Sequence, residues 1–194
     1  MLWQNGHARE LPPFPGDTVA GASGINDRGQ AVGASGTCDH FAVGAAQHAV
    51  LWQRGRPIDL GNLGYPFGNV DFAINNRGQI VGQSGVPGKS PAHPFFLHGF
   101  LWQHGTMTGL GALPGHPISI AQAINGIGQV VGVALDANGN NFVAWLWQNG
   151  VMTNLNSLIP PSSPLLLADA VGISNRGQIA GFGYLAHAMY VGSC

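Results

Sequence analysis

The chain has 194 residues, only 7 of them Lys or Arg and 8 Asp or Glu, so charged residues make up 8% where ordinary domains carry about 25%. A net charge of −1 offers no cationic surface to neutralise phosphates, and no 18-residue apolar run exists to cross a bilayer, which argues against nucleic-acid binding and a membrane-spanning helix. Thirty-one glycines beside 45% apolar residues describe a turn-rich globular chain with enough material for a core, and exclude a charged disordered tail.

The chain opens inside a strand motif, Leu2-Trp3-Gln4, followed by a turn at Asn5-Gly6. No basic region leads into an apolar stretch, so these residues encode no signal peptide. An opening in mid-unit points to a trimmed upstream part, or to a chain that starts there by design. Leu-Trp-Gln returns at 51–53, 101–103 and 146–148, with tryptophan spacings of 49, 50 and 45. A second frame interleaves with it: Arg28-Gly29-Gln30, Arg77-Gly78-Gln79, Ile127-Gly128-Gln129 and Arg176-Gly177-Gln178, with glycines 49, 50 and 49 apart. Two frames held in phase over one period specify a repeat architecture.

Within a unit, apolar runs alternate with turn signals and show no 3.6-residue period. Ala73 to Gly82 reads as strand, tight turn, strand, with asparagine and glycine suited to positive φ. Phe100 to Thr108 reads as a second hairpin, giving strands A to D. The A and B hairpins fall at 24–35, 73–84, 123–134 and 172–183, and each is followed by C and D. Glycines 33, 82, 132 and 181 recur on strand B, where glycine ordinarily weakens pairing. Their recurrence implies a close neighbouring backbone or ring, and the strand-C tryptophans Trp52, Trp102 and Trp147 are expected to fill that space as core residues.

A four-stranded unit of about 49 residues matches a propeller blade. The expected architecture is therefore all-β and β-propeller-like: four repeats in one domain over 1–194, as a four-bladed ring or an arc of a larger propeller. The units are approximately 24–72, 73–122, 123–171, and 172–194 completed by 1–23. Both Leu2-Trp3-Gln4 and His187 to Val191 claim position C of the last unit, so one strand is surplus in a closed ring.

The stretches His48-Ala49-Val50-Leu51-Trp52, His98-Gly99-Phe100-Leu101-Trp102 and His187-Ala188-Met189, with Asp59-Leu60-Gly61-Asn62-Leu63, resemble the His-Ala-Phe signature of the bacterial HAF repeat family. Val143-Ala144-Trp145 lacks the histidine, and Ile127 stands where the other units have arginine. The resemblance implies an extracellular bacterial repeat protein, secreted or at the cell surface, and supplies no catalytic residues.

No arrangement here points to a cofactor. His48, His98 and His187 occupy equivalent positions on different units, which suits hydrogen bonding better than shared metal ligation, so no metal site is expected. Asp136-Ala137-Asn138-Gly139-Asn140-Asn141 superficially resembles a calcium loop, but lacks a second carboxylate, and an Asn-Gly turn explains it more simply. Arg28, Arg77 and Arg176 share one turn position, where they either focus an anionic ligand at the mouth of a central channel or merely keep the turn polar. At the other end of the sheets, Tyr65 and Phe67 lie on a D-to-A loop and can stack on sugars or apolar groups. Cys38 and Cys194 allow one disulfide or none. The expected function is a noncatalytic extracellular-type module with a binding or scaffold role, its partner a glycan, a peptide or a cell-surface molecule. The alternative is a glycan-active enzyme using a loop carboxylate such as Asp17, Asp71 or Asp169.

Overall fold

The computed structural model describes residues 1–39 and 46–185, and this part is all-β. Strands β1 (Leu2–Gln4) and β2 (His7–Arg9) form a hairpin by themselves. Three four-stranded antiparallel sheets follow. Unit 1 holds β3 (Val19–Ile25), β4 (Ala31–Gly36), β5 (His48–Gln53) and β6 (Arg56–Asp59). Unit 2 holds β7 (Val70–Ile74), β8 (Ile80–Ser90), β9 (His93–Gln103) and β10 (Thr106–Gly111). Unit 3 holds β11 (Ile118–Ile124), β12 (Val130–Leu135), β13 (Val143–Gln148) and β14 (Val151–Asn154), ending in a 3-10 turn at Leu155–Leu158. Unit 4 contributes β15 (Leu165–Ile173) and β16 (Ile179–Leu185) as a separate two-stranded sheet. His40, His187 to Val191 and Cys194 lie outside the described residues.

The β1–β2 hairpin and the second hairpin of units 1 to 3 close through two residues that both hold positive φ. These are Asn5-Gly6, Arg54-Gly55, His104-Gly105 and Asn149-Gly150, the geometry that matches the twist of paired strands. The first hairpin divides the two expected roles: positive φ falls to the turn glycines Gly29, Gly78, Gly128 and Gly177, and local side-chain bonding to the asparagines. Asn26, Asn75 and Asn125 are buried, and none is among the positive-φ residues. Each folds its side chain back over its own turn: Oδ1 of Asn75 accepts from the backbone N–H of Arg77 at 3.0 Å and of Gln79 at 3.1 Å.

Strand A of every unit carries an extra residue opposite strand B, at Ala22/Gly24, Asp71/Ala73, Ala121/Ala123 and Ala170/Gly172. This bulge is the first reason for the strand-B glycines. A Cβ on Gly82 would stand 2.1 Å from the carbonyl oxygen of Val70, and on Gly132 1.9 Å from that of Ile120, so no side chain fits where the bulged strand presses in. In unit 3 an aromatic neighbour adds to this, Trp145 rather than the Leu-Trp-Gln tryptophan, 2.8 Å from the same point over Gly132.

The core is a series of apolar layers between successive sheets. Val32, Ala49, Leu51, Leu60, Ile80 and Phe100 fill the layer between units 1 and 2, while Val81, Leu101, Leu110, Val130 and Trp145 fill the next. Of the tryptophans expected in the core, Trp52 is buried at 1% exposure. Trp102 and Trp147 are half-buried against the layers. Ser23, Phe72, Gln122 and Val171, the bulged residue of strand A in each unit, line one shared cavity of about 490 Å³.

Candidate functional site

The turns between strands A and B stack from unit to unit through side-chain amides. Nδ2 of Asn26 donates to Asn75 O at 3.1 Å, Nδ2 of Asn75 to Asn125 O at 2.9 Å, and Nδ2 of Asn125 to Ser174 O at 3.0 Å. Beside this ladder, Asp27 N donates to Asn76 Oδ1 at 3.0 Å and Asn76 Nδ2 donates back to Asp27 Oδ2 at 2.5 Å. The carboxylate nearest Arg28 in sequence is thereby engaged with the neighbouring turn.

A polar groove of about 420 Å³ opens between the turns of units 1 and 2, lined by Arg28, Arg77, Gln30, Gln53, Gln103 and Trp102. Two repeat frames meet in it, because the glutamine of the turn faces the glutamine that ends Leu-Trp-Gln. Gln79 Nε2 donates to Gln103 Oε1 at 2.9 Å, and Gln129 Nε2 to Gln148 Oε1 at 2.8 Å in the following unit. Among the described residues the only basic side-chain nitrogen within ion-pair distance of a carboxylate is His48 Nδ1, hydrogen-bonded to Asp17 Oδ2 at 2.9 Å, so neither guanidinium in the groove is neutralised by a carboxylate. Two cations, several amides and one half-buried indole on a single wall can accept an anionic group, bond hydroxyls and cover an apolar ring face.

The five residues singled out from the sequence separate into three places. Arg28 and Arg77 share the groove. Arg176 holds the same turn position on unit 4, outside that lining. Tyr65 and Phe67 lie at the opposite end of the sheets with ring centroids 6.2 Å apart, and Tyr65 stacks on Phe95 at 4.6 Å with the planes 15° apart. Phe95 has no counterpart in the other units and belongs to the long β8–β9 hairpin, so the repeat frame gave no signal for it.

Of the three carboxylates expected near loops, Asp17 alone lies outside a strand, while Asp71 and Asp169 belong to β7 and β15, and each has different partners. Asp17 is bound to His48, and Asp169 accepts Gln122 Nε2 through both oxygens, at 2.9 and 3.0 Å. Asp71 is fully buried. Its Oδ1 accepts from Val50 N at 3.2 Å while Oδ2 has no partner. Burial pushes its pKa well above the ordinary carboxylate value, against the opposing pull of backbone N–H groups, those of Val50 and Gly33 among them. His98 is shifted below its ordinary value by the same loss of solvent.

Among the described residues no group of three His, Cys, Asp or Glu side chains could hold a metal ion. The loop at Asp136 is folded on itself. Oδ1 accepts from Asn138 N and Asn140 N, both at 2.9 Å, and Asn141 Nδ2 donates to Oδ2, contacts that hold the Asp136 carboxyl below its ordinary pKa. Cys38 is exposed and, among the described residues, free. No described helix is long and apolar enough to cross a membrane. Compared with protein-family models, curated proteins and solved structures, the chain matches none of them.

Proposed function

We propose that this chain is a noncatalytic repeat module of the extracellular type, whose groove between units 1 and 2 binds an acidic glycan. The observation that carries the reading is the convergence of Arg28 and Arg77, unpaired with any carboxylate among the described residues, on a wall of glutamine amides beside Trp102. Carboxylate or sulfate groups suit the guanidiniums, sugar hydroxyls suit the amides, and a pyranose face suits the indole. The extracellular placement rests on the resemblance to the HAF repeats. The four units are taken as propeller blades around the cavity lined by Ser23, Phe72, Gln122 and Val171.

The test is an array of uronate-bearing and sulfated oligosaccharides read at low and high salt, with hydrolysis products measured in parallel. Arg77→Ala is expected to weaken binding about tenfold or more, as for a lost charge-assisted bond, while Arg176→Ala leaves it unchanged. Equal binding by both variants removes the groove from the account. Turnover abolished by Asn in place of Asp17, Asp71 or Asp169 replaces the module with a glycan-active enzyme.

A further inference from the structure

Unit 4 has only strands A and B among the described residues, yet the place for a third strand beside it is already shaped. In units 2 and 3 the strand-C side chain opposite the strand-B glycine plugs the gap to the preceding sheet. Phe100 sits with Ala49 and Leu60, and Trp145 with Leu101 and Leu110. Counting in the same register, the gap before unit 4 is bounded by Ala144 and Leu155 on one side and by Ile179 and Gly181 on the other. Those four residues, with Leu167 and Phe182, line an apolar groove of about 480 Å³. Among the described residues the outer edge of β16 is unpaired, and Phe182 on it is 68% exposed.

The strand that fills this place in units 1 to 3 always carries Leu-Trp-Gln, and β1 carries the same three residues with one edge unpaired. Trp3 is 68% exposed where its equivalent Trp52 is buried. The pairings Val32↔Leu51, Val81↔Leu101 and Val131↔Leu146 place Leu2 opposite Ala180, Trp3 opposite Ile179 and Met1 opposite Gly181, over the groove. Gln178 then meets Gln4, repeating the amide clasp of Gln79 with Gln103.

Within one chain the β1–β2 hairpin is held against the front of unit 1. Leu2 and Leu11 pack on Val50 and Trp52, and Trp52 Nε1 donates to Pro12 O at 2.7 Å. The half-sheets β1–β2 and β15–β16 remain separate, so among its described residues one chain presents both complementary edges at once. We propose that the β16 edge and its apolar groove receive the β1–β2 hairpin of a second copy of this chain, completing a sheet in the order β15-β16-β1-β2. Main-chain hydrogen bonds supply the pairing, and the groove selects an apolar side chain opposite Gly181. The contact is head to tail, so it joins chains into dimers and larger assemblies, and it covers edges that invite uncontrolled pairing when left free.

The experiment uses the full chain with Cys38→Ser and Cys194→Ser. Chains carrying Gln4→Cys are mixed with chains carrying Gln178→Cys and mildly oxidised. A covalent heterodimer of twice the 20.1 kDa chain mass is expected, and light scattering of the unmodified chain is expected to show mass rising with concentration. Trp3→Glu should weaken association about tenfold or more with an unchanged melting transition, because that ring is exposed within one chain. No heterodimer in the mixture overturns the proposal. So does a chain carrying both cysteines that links only within itself, since its own hairpin then closes the sheet.

Discussion

Asn75 and Asn125 stand fifty residues apart in sequence and are joined directly, Nδ2 of the first donating to the carbonyl of the second at 2.9 Å. The same Nδ2 also donates to Gln79 Oε1 at 2.7 Å, while Oδ1 takes two backbone N–H groups of its own turn. One buried amide therefore shapes a turn and fastens two units. Asn75→Ala strips partners from several groups with little access to water, and is expected to cost about 2–4 kcal/mol in urea unfolding. Asn76→Ala, at the exposed bridge to Asp27, is expected to cost less than about 1 kcal/mol. Equal effects would mean that the ladder contributes nothing particular.

Trp145 is fully enclosed, and its Nε1–H finds no acceptor. Phe100 holds the equivalent place in unit 2 without that polar group. Trp145→Phe is therefore expected to cost under about 1.5 kcal/mol, the smaller ring offset by the loss of an unsatisfied donor, whereas Trp145→Ala costs about 3–5 kcal/mol. Half-buried Trp102 falls between, at about 1–3 kcal/mol for Trp102→Ala, and Trp3→Ala stays within about 0.5 kcal/mol in the monomer. Thermal melts of the four variants give the order directly.

Much of this architecture is legible in the sequence because repetition converts local signals into global ones. The period, two hairpins per unit and the two-residue turns at Arg54-Gly55 and His104-Gly105 all follow from spacing and turn chemistry. The first strand of unit 1 begins at Val19, five residues before the expected hairpin, because Ala20, Gly21 and Ala22 carry no alternating pattern to announce it. The role of Asn75 is hidden for a different reason: asparagine before a turn has an adequate local explanation, and its bond to the next unit exists only after stacking. Arg28 and Arg77 look equivalent to Arg176 in sequence. Only neighbouring turns can share a groove, however, and Ile127 stands between Arg77 and Arg176. Phe95 escapes notice since it lies in an extension of one hairpin that no other unit copies, so its stack on Tyr65 has no periodic trace.

The bulge in strand A makes a sharp claim about glycine. A methyl group on Gly82 would lie 2.1 Å from Val70 O and 2.6 Å from Asp71 Cα, both backbone atoms, so nothing flexible can move aside. Gly82→Ala is expected to destabilise by about 3–5 kcal/mol or to prevent folding. Gly172, also in a strand, has open space around the same position, and alanine already stands at the equivalent places in units 2 and 3. Gly172→Ala should be neutral within about 0.5 kcal/mol, and comparable losses at the two sites would contradict the bulge as the cause.

Asp71 stands where units 1, 3 and 4 carry Ala22, Ala121 and Ala170, and it gives stability a dependence on pH with a definite sign. Its carboxyl loses a proton near the ordinary value of 3.8 when unfolded, but burial raises that point well above 3.8 in the folded chain. Between the two values the folded chain holds more protons than the unfolded one, so stability falls as pH rises above about 4, by at most about 1.4 kcal/mol per unit for a single group. His98 acts oppositely. Its pKa is lowered from 6.5 on folding, so its contribution is full above about pH 6.5 and is lost as the solution is acidified below that point. Asn at position 71 keeps an acceptor for Val50 N without a proton to lose. Asp71→Asn is therefore expected to gain on the parent chain progressively from pH 4 upward, until the buried carboxyl ionises, in urea midpoints taken across that range. Parallel curves for the two proteins would mean that the Asp71 carboxyl titrates alike in the folded and unfolded chains.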